Sequence, residues 1–519
     1  MMRLTWLLLL APSCFGYISQ VTADSQQTPL TRSDNAGIQF YLSDKVVPGV
    51  QSSASGPTVT VISSDSNPQQ AIHAALATWN AVSTANVNFL SLKSTSLGIN
   101  SSDKQMTIAI ASSSSDVSTV GGALAVTIDS YTVPGGVIVD SDIIVSASKQ
   151  FSTTGAANTF DLQAVMTHEL GHSLGANHTG ILGATMFQYN TPVQRQLSSD
   201  DLAFLNAMYP STTSPVSFGG ISGKVTITGT AGSALLTMVD TGTGATFGGV
   251  SAGDGTFTVK VPAGTYQMYA EPLNGVVQPV NLYFSPQLTA GSLQSTMFSG
   301  TVTVTANNTA TANVTANSAP SPPLLVVPNI AIIAHNSTQL PGQFPQGGPV
   351  FVPSGGQGGL VDLLMYGTGI DATLSAGNFA ILGQGVTVNS VGQVPNLSPF
   401  TLRVTLNVAS QQSLSLASIF MTKGSSTLTL SGALVIGPPT PTTTSQSIIN
   451  SASYAGGVSP GGIYALFDIP GAPNLGPAVA VGNSGHYDPY GFLASTLGGV
   501  TVTFDGVPAP LFFVYGGQI

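Results

Sequence analysis

Residues 161–189 read DLQAVMTHELGHSLGANHTGILGATMFQY. Inside lies an H-E-x-x-H box, His168-Glu169-Leu170-Gly171-His172, which continues through Gly175 to His178 and on to Met186. At roughly 100° per residue, helix positions four apart share one face, so His168 and His172 can reach a single metal ion. Leu162, Met166, Leu170 and Leu174 form a separate row at the same spacing, suited to burial against a core. Asn158 is placed to cap this helix, and Asp161 to sit in its first turn against the helix dipole. Gly175 can end it, because glycine tolerates the left-handed conformation of a C-terminal cap. His178 then arrives from outside the helix as a third ligand. Three neutral imidazoles leave one position of a tetrahedral zinc open for water, which marks a catalytic rather than a structural site. Glu169 is offset around the helix from the histidines, where it can contact that water instead of the metal. The competing reading is an amphipathic helix with incidental histidines. Three of the six histidines in the chain fall in this window, with the Glu and Gly in register, and that decides for zinc.

The chain has 519 residues, room for three to four domains. Charged residues make up only 6%, which excludes a charged disordered chain and fits β-rich domains with polar, uncharged surfaces. A net charge of −10 without any Lys/Arg cluster excludes nucleic acid as a partner. The N-terminus, MMRLTWLLLLAPSCFGYISQVTADS, has Arg3 ahead of an apolar run from Leu4 to Leu10 that is too short to anchor in a bilayer. It reads as a secretory signal over residues 1–23, with cleavage after Gly16 or Ala23, and implies a secreted, extracellular protein; a buried N-terminal strand is the alternative. Cys14 is the single cysteine, open to lipidation but in the poor context Ala11-Pro12-Ser13. No later run suggests a membrane span, since Leu324 to Ile333 is interrupted by Pro328.

A first domain is expected over residues 36–212. Ile38–Leu42, Val87–Leu92, Met106–Ala111, Ala123–Ile128 and Val137–Val145 read as strands, and a helix opened by Asn67-Pro68 carries Ile72, Ala75, Leu76 and Trp79. After the Met186 region, Ser198 and Asp201 stand in capping-box spacing before a last helix with Leu202, Leu205 and Met208 on its apolar face.

These segments together resemble the catalytic domain of the matrixins, a metzincin family. AIHAALATWNAVSTANVNFL is similar to the family's first helix and following strand, and GGALAVTI and VIVDSDIIV to its edge strand and the next one. THELGHSLGANH matches the zinc box, Met186 the Met-turn and LSSDDLAFLNAMYP the closing helix. The resemblance implies an α+β (α/β) domain with a five-stranded mixed, mostly parallel sheet and three helices. It also implies substrate lying extended along the edge strand near Ala123 to Ile128. The sequence departs from the family in three ways. It has no latency cysteine beyond Cys14, too few residues before Gly37 for a propeptide domain, and no Pro in Met186-Phe187-Gln188-Tyr189.

Beyond Ser211 the composition shifts to Gly, Ser and Thr. Residues 217–315 resemble the β-sandwich of carboxypeptidase-regulatory modules, 324–436 read as an all-β, Ig-like module, and 445–519 resemble a C-terminal module of secreted bacterial proteins, incomplete at Ile519 as in a fragment. Spacer, carbohydrate-binding, and cell-surface or extracellular-matrix roles all remain open for these modules.

The expected activity is a secreted zinc endopeptidase acting on protein or peptide substrates, with His168, His172 and His178 as ligands to one zinc and Glu169 as general base. Met186 would form an apolar floor. Tyr189 would more readily pack than stabilise an oxyanion. An alternative from another class is a catalytically idle surface or adhesion protein using the domain as a scaffold. Activity is expected in the first domain alone, so a chain ending near Ser214 should suffice. Asp129, Asp140 and Asp142 could hold calcium, with a solvated acidic turn as the plainer reading.

Overall fold

The computed structural model describes residues 18–437, apart from 155, 157, 190–191, 229, 274, 283–287, 322, 338–346, 355–358, 395–399 and 411–413, and only short stretches from 448 onward. In the first domain the main elements are β1 (Thr31–Arg32), β2 (Phe40–Ser43), α1 (Pro68–Asn80), β3 (Lys93–Thr95), β4 (Met106–Ile110), α2 (Ser114–Val120), β5 (Ala125–Tyr131), β6 (Val137–Val145), α3 (Leu162–Ser173) and α4 (Ser199–Met208). β3, β2, β4 and β6 run parallel in that order, and β5 closes the edge antiparallel to β6. β1 pairs with the first residues of β6.

The described residues thus hold a six-stranded mixed sheet and four helices, one more of each than expected. β1 is only two residues long and carries no period of its own; the Thr31 amide bonds the Gly136 carbonyl across the sheet. α2 sits in a serine-rich stretch where only Val120 is buried, so it lacks the apolar repeat that announces a helix. It is set by a capping box between Ser113 and Asp116. Val87–Leu92 is not a regular strand: only Phe89 bridges Ile38, and ladder pairing starts at Lys93.

The helices follow their sequence signals closely. The Asn67 side chain accepts from the Gln70 amide at 3.0 Å ahead of Pro68, which needs no amide partner in the first turn. α1 packs on α3, and the fully buried Trp79 donates its indole N–H to the Thr167 carbonyl at 2.9 Å. Leu162, Met166, Leu170 and Leu174 are all buried, as their spacing predicts. The cap of α3 is Asp161, not Asn158: its carboxylate accepts from the Ala164 amide at 3.0 Å, while Asn158 adopts a left-handed turn. In α4, Ser198 and Asp201 form their box, and Leu205 is buried together with Ala203 and Phe204, with Leu202 and Met208 only half-buried.

Two β-sandwiches follow. Residues 218–316 form two five-stranded sheets and residues 329–437 two four-stranded sheets. Neither stands apart from the first domain. One apolar cluster runs from Trp79, Met186 and Leu205 into Ile221, Met238 and Tyr266. A second joins Leu182 and Phe187 to Leu235, Val277 and Leu282, and onward to Ile330 and Leu434. No helix among the described residues is long and apolar enough to cross a membrane.

Candidate metal centre

α3 delivers the first two histidines, and its C-terminus delivers the third. The helix ends with Gly175 in the left-handed region at φ +92, where the Gly175 amide bonds the His172 carbonyl and the Ala176 amide bonds the Gly171 carbonyl. This double reversal satisfies carbonyls that the helix leaves open and turns the chain back toward the metal face. A Cβ at residue 175 would stand 2.3 Å from the Leu30 carbonyl oxygen, so glycine is required by space as well as by dihedral. The Leu174 carbonyl takes the Tyr209 hydroxyl at 2.6 Å, and the Ser173 carbonyl takes the Arg32 guanidinium at 3.2 Å.

The three rings then converge. His168 Nε2 lies 3.0 Å from His172 Nε2 and 3.2 Å from His178 Nε2. Each Nδ1 faces a backbone carbonyl: Thr185 for His168 at 2.7 Å, Ala176 for His172 at 2.8 Å and Asn281 for His178 at 2.6 Å. A carbonyl can only accept, so each Nδ1 carries the proton and each Nε2 presents a bare lone pair to the common centre. Burial pushes the His168 ring down to about 4 and the His178 ring down to about 3, so both are neutral at pH 7. Three lone pairs aimed at one point repel unless a cation lies between them. Tetrahedral zinc, with Zn–N bonds of 2.0–2.1 Å, spaces its ligands at roughly 3.3 Å, so this donor set fits that metal.

Glu169 is buried beside the triad and faces β5, where the Thr127 hydroxyl donates to its carboxylate at 2.7 Å. Burial raises its carboxyl to about 7, against the opposing pull of the Thr127 hydrogen bond and with the help of the Asp129 charge. Met186 lies under α3, its sulfur 2.3 Å from where a Cβ of residue 171 would be, which explains the glycine inside the H-E-x-x-H box. Tyr189 is exposed and packs edge-on against Phe187 at 5.6 Å.

Four contributors were not legible in sequence as parts of this site. Asp201, besides capping α4, accepts the Thr185 and Met186 amides at 2.9 and 3.0 Å, and so fixes both the Met186 turn and the carbonyl that orients His168. Tyr209, Thr127 and Asn281 reach the site across 35, 42 and 103 residues of chain. A capping box signalled Asp201, but nothing local signalled the others. Asp129, Asp140 and Asp142 do not gather into a three-ligand group: Asp129 pairs with Ser141 across the ladder and shares its face, so the pleat sends Asp140 and Asp142 to the opposite one. Asp142 is taken by the Thr107 and Asn100 amides, and Asp140 by those of Lys104 and Ser141. Among the described residues, His168, His172 and His178 form the one such group. His335 pairs with Asp362 in the third module, and His486 lies outside the described residues.

Paired helical histidines, a third from the following turn and a buried glutamate beside them make up a candidate metal centre. Residues 58–210 match the family described as Matrixin, and this part of the chain is a matrixin-like metzincin domain. Karilysin from Tannerella forsythia is 34% identical over 71 residues, which are 14% of this chain and 15% of that protein. The chain thus spans only a small part of that relative's length. Among solved structures, the Bacillus anthracis TIE protein matches over 43% of this chain and 34% of its own, with 9% identity and a TM-score of 0.15, a likeness too low to carry an argument about the fold.

Proposed function

We propose that the chain is a secreted zinc-dependent endopeptidase in which His168, His172 and His178 hold the metal and Glu169 is the general base. The observation that carries this reading is the arrangement of three Nε2 lone pairs on one centre, every ring oriented by a carbonyl, with a buried carboxylate alongside. When bound, zinc supplies Lewis-acid polarisation of a scissile carbonyl and acidifies a water nucleophile to roughly pH 7. Glu169, held by Thr127, would accept a proton from the attacking water at its carboxylate and return it to the departing amine. A carboxyl with an affinity for protons near neutrality is matched to both transfers. The antiparallel edge strand β5 offers its free side to an extended peptide as an added strand.

The test separates the two roles. Full-length Glu169→Gln should retain zinc at wild-type stoichiometry while peptide cleavage falls by at least about 10²-fold. His172→Ala should lose both. Undiminished cleavage by Glu169→Gln would remove the glutamate from the mechanism.

Secretion remains part of this reading. Of the two cleavage positions, Gly16 is supported by packing: the Gln20 amide bonds the Gly175 carbonyl, the Asn177 amide bonds the Ile18 carbonyl, and the Gln20 side chain donates to Ala176. Cleavage after Ala23 would strip this segment from the end of the zinc helix. Intact mass of the exported protein distinguishes the two.

A further inference from the structure

Two of the three metal-facing histidines take their orienting carbonyl from the first domain, and the third does not. Thr185 and Ala176 lie within the zinc-box region, whereas the acceptor for His178 Nδ1 is the carbonyl of Asn281, in the second module. The loop carrying Asn281 is built to hold that carbonyl in place. Residues 279–281 make one turn of 3-10 helix, with Pro279 fixing its start. The Asn281 side chain accepts from the Gln278 amide at 2.7 Å, while the Asn281 amide bonds the Gln278 carbonyl at 2.9 Å. Val277 and Leu282, on either side, are buried in the apolar cluster that also takes Leu182 and Phe187. Gln188, just past Met186, donates its side chain to the Val276 carbonyl at 3.1 Å. The loop is therefore clamped to both ends of the chain segment that runs from the third histidine to the methionine.

We propose that this loop of the second module is a working part of the metal site, with Asn281 as a positioning residue whose carbonyl fixes the tautomer and direction of His178. This deepens the zinc-peptidase reading and rests on it. Outer partners of metal-bound histidines set ring orientation and ligand basicity, and losing one costs about 10- to 100-fold in metal affinity. The effect belongs to the backbone, so identity at Asn281 matters through the side-chain clamp on Gln278 that presents the carbonyl.

The experiment uses the full chain. Replacing residues 278–281 with Gly-Ser-Gly-Ser keeps the chain length and removes both the proline and the clamp. Zinc affinity, measured by competition with a chelator, should fall at least about 10-fold, while the thermal midpoint of the metal-free protein stays that of the wild type. Asn281→Ala should give a smaller loss of a few-fold, and Asn281→Asp, which keeps an acceptor for the Gln278 amide, should restore most of it. In zinc-loaded protein with nitrogen-15 histidine, the His178 Nδ1–H signal should be protected from exchange in wild type and lost in the loop replacement. Should the replacement lower the metal-free midpoint, the Ala and Asp pair carries the test. Equal zinc affinity in wild type, Asn281→Ala and the loop replacement, with His178 Nδ1–H protection unchanged, would overturn the assignment. A wild-type chain that binds no zinc would instead sink the peptidase reading itself.

Discussion

Gly171 shows how tightly the zinc box is fitted to what lies beneath it. A methyl group there would meet the Met186 sulfur at 2.3 Å and the Trp79 ring at 2.9 Å, and both side chains are buried. Gly→Ala inside a helix ordinarily stabilises by about 1 kcal/mol. Overpacking a closed core costs about 1–3 kcal/mol, and with neither neighbour free to retreat the second effect should win. Gly171→Ala is therefore expected to lower the thermal midpoint by a few degrees and to weaken zinc binding as Met186 is displaced; a rise in midpoint would show that the methionine can move. Asp200 offers a second test. Burial and the neighbouring Asp201 charge raise its carboxyl to about 8, though it accepts the Gly248 amide at 2.7 Å. A carboxyl raised in the fold contributes stability below the ordinary carboxylate range and loses it as pH climbs through about 8. Asp200→Asn keeps an acceptor for Gly248 and cannot ionise. Its midpoint should match wild type near pH 4 and exceed it by a few degrees at pH 8; parallel curves at all pH values would refute the assignment.

At the scale of elements, the legible parts were those whose cause is local. α3 was readable because its two histidines, its apolar row and the glycine after its end all lie within one short window, the first two at helical spacing. Its N-cap was misplaced by three residues because Asn158 and Asp161 are both capping types, and only the backbone bend separates them. α2 was invisible because polar serines hold it through a cap instead of an apolar stripe. α4 was legible as a helix but not as a support. Asp201 reads as a capping residue, whereas its bonds to the Thr185 and Met186 amides arise from packing that no local pattern encodes. Asp201→Asn, which can keep only part of this set, is expected to loosen the Met186 turn and reduce zinc affinity several-fold with α4 still formed; unchanged metal affinity would confine Asp201 to its cap.

For the whole molecule, the expectation that the first domain suffices meets a different structure. Leu182 donates its amide to the Ser431 carbonyl at 2.8 Å, Ile181 and Ala184 pack with Leu416 and Val435, and the Ser199 hydroxyl and Thr246 backbone bond each other in both directions. The segment between His178 and Met186 is thus enclosed by both sandwiches. A chain ending at Ser214 would expose Ile181, Leu182 and Phe187 together, and it is expected to associate in solution and to bind zinc at least about 10-fold more weakly than the full chain. A monomeric fragment with wild-type affinity and cleavage would restore domain independence. None of this could be read from composition, since a Gly-, Ser- and Thr-rich sandwich looks the same whether it is a spacer or a wall of the site.

The contact between Leu182 and Ser431 also sets an order in time. Chains emerge and fold from the N-terminus, so the zinc box is complete as sequence long before the strands that enclose its loop exist. The carbonyl for His178 arrives only with Asn281, and the cover over Leu182 only with Ser431. The nascent protein therefore passes through a stage at which all three ligands are present but their surroundings are unfinished. Metal capture should rise in steps as synthesis passes these two points, so that completion of the site would be timed by the order in which its own chain is made.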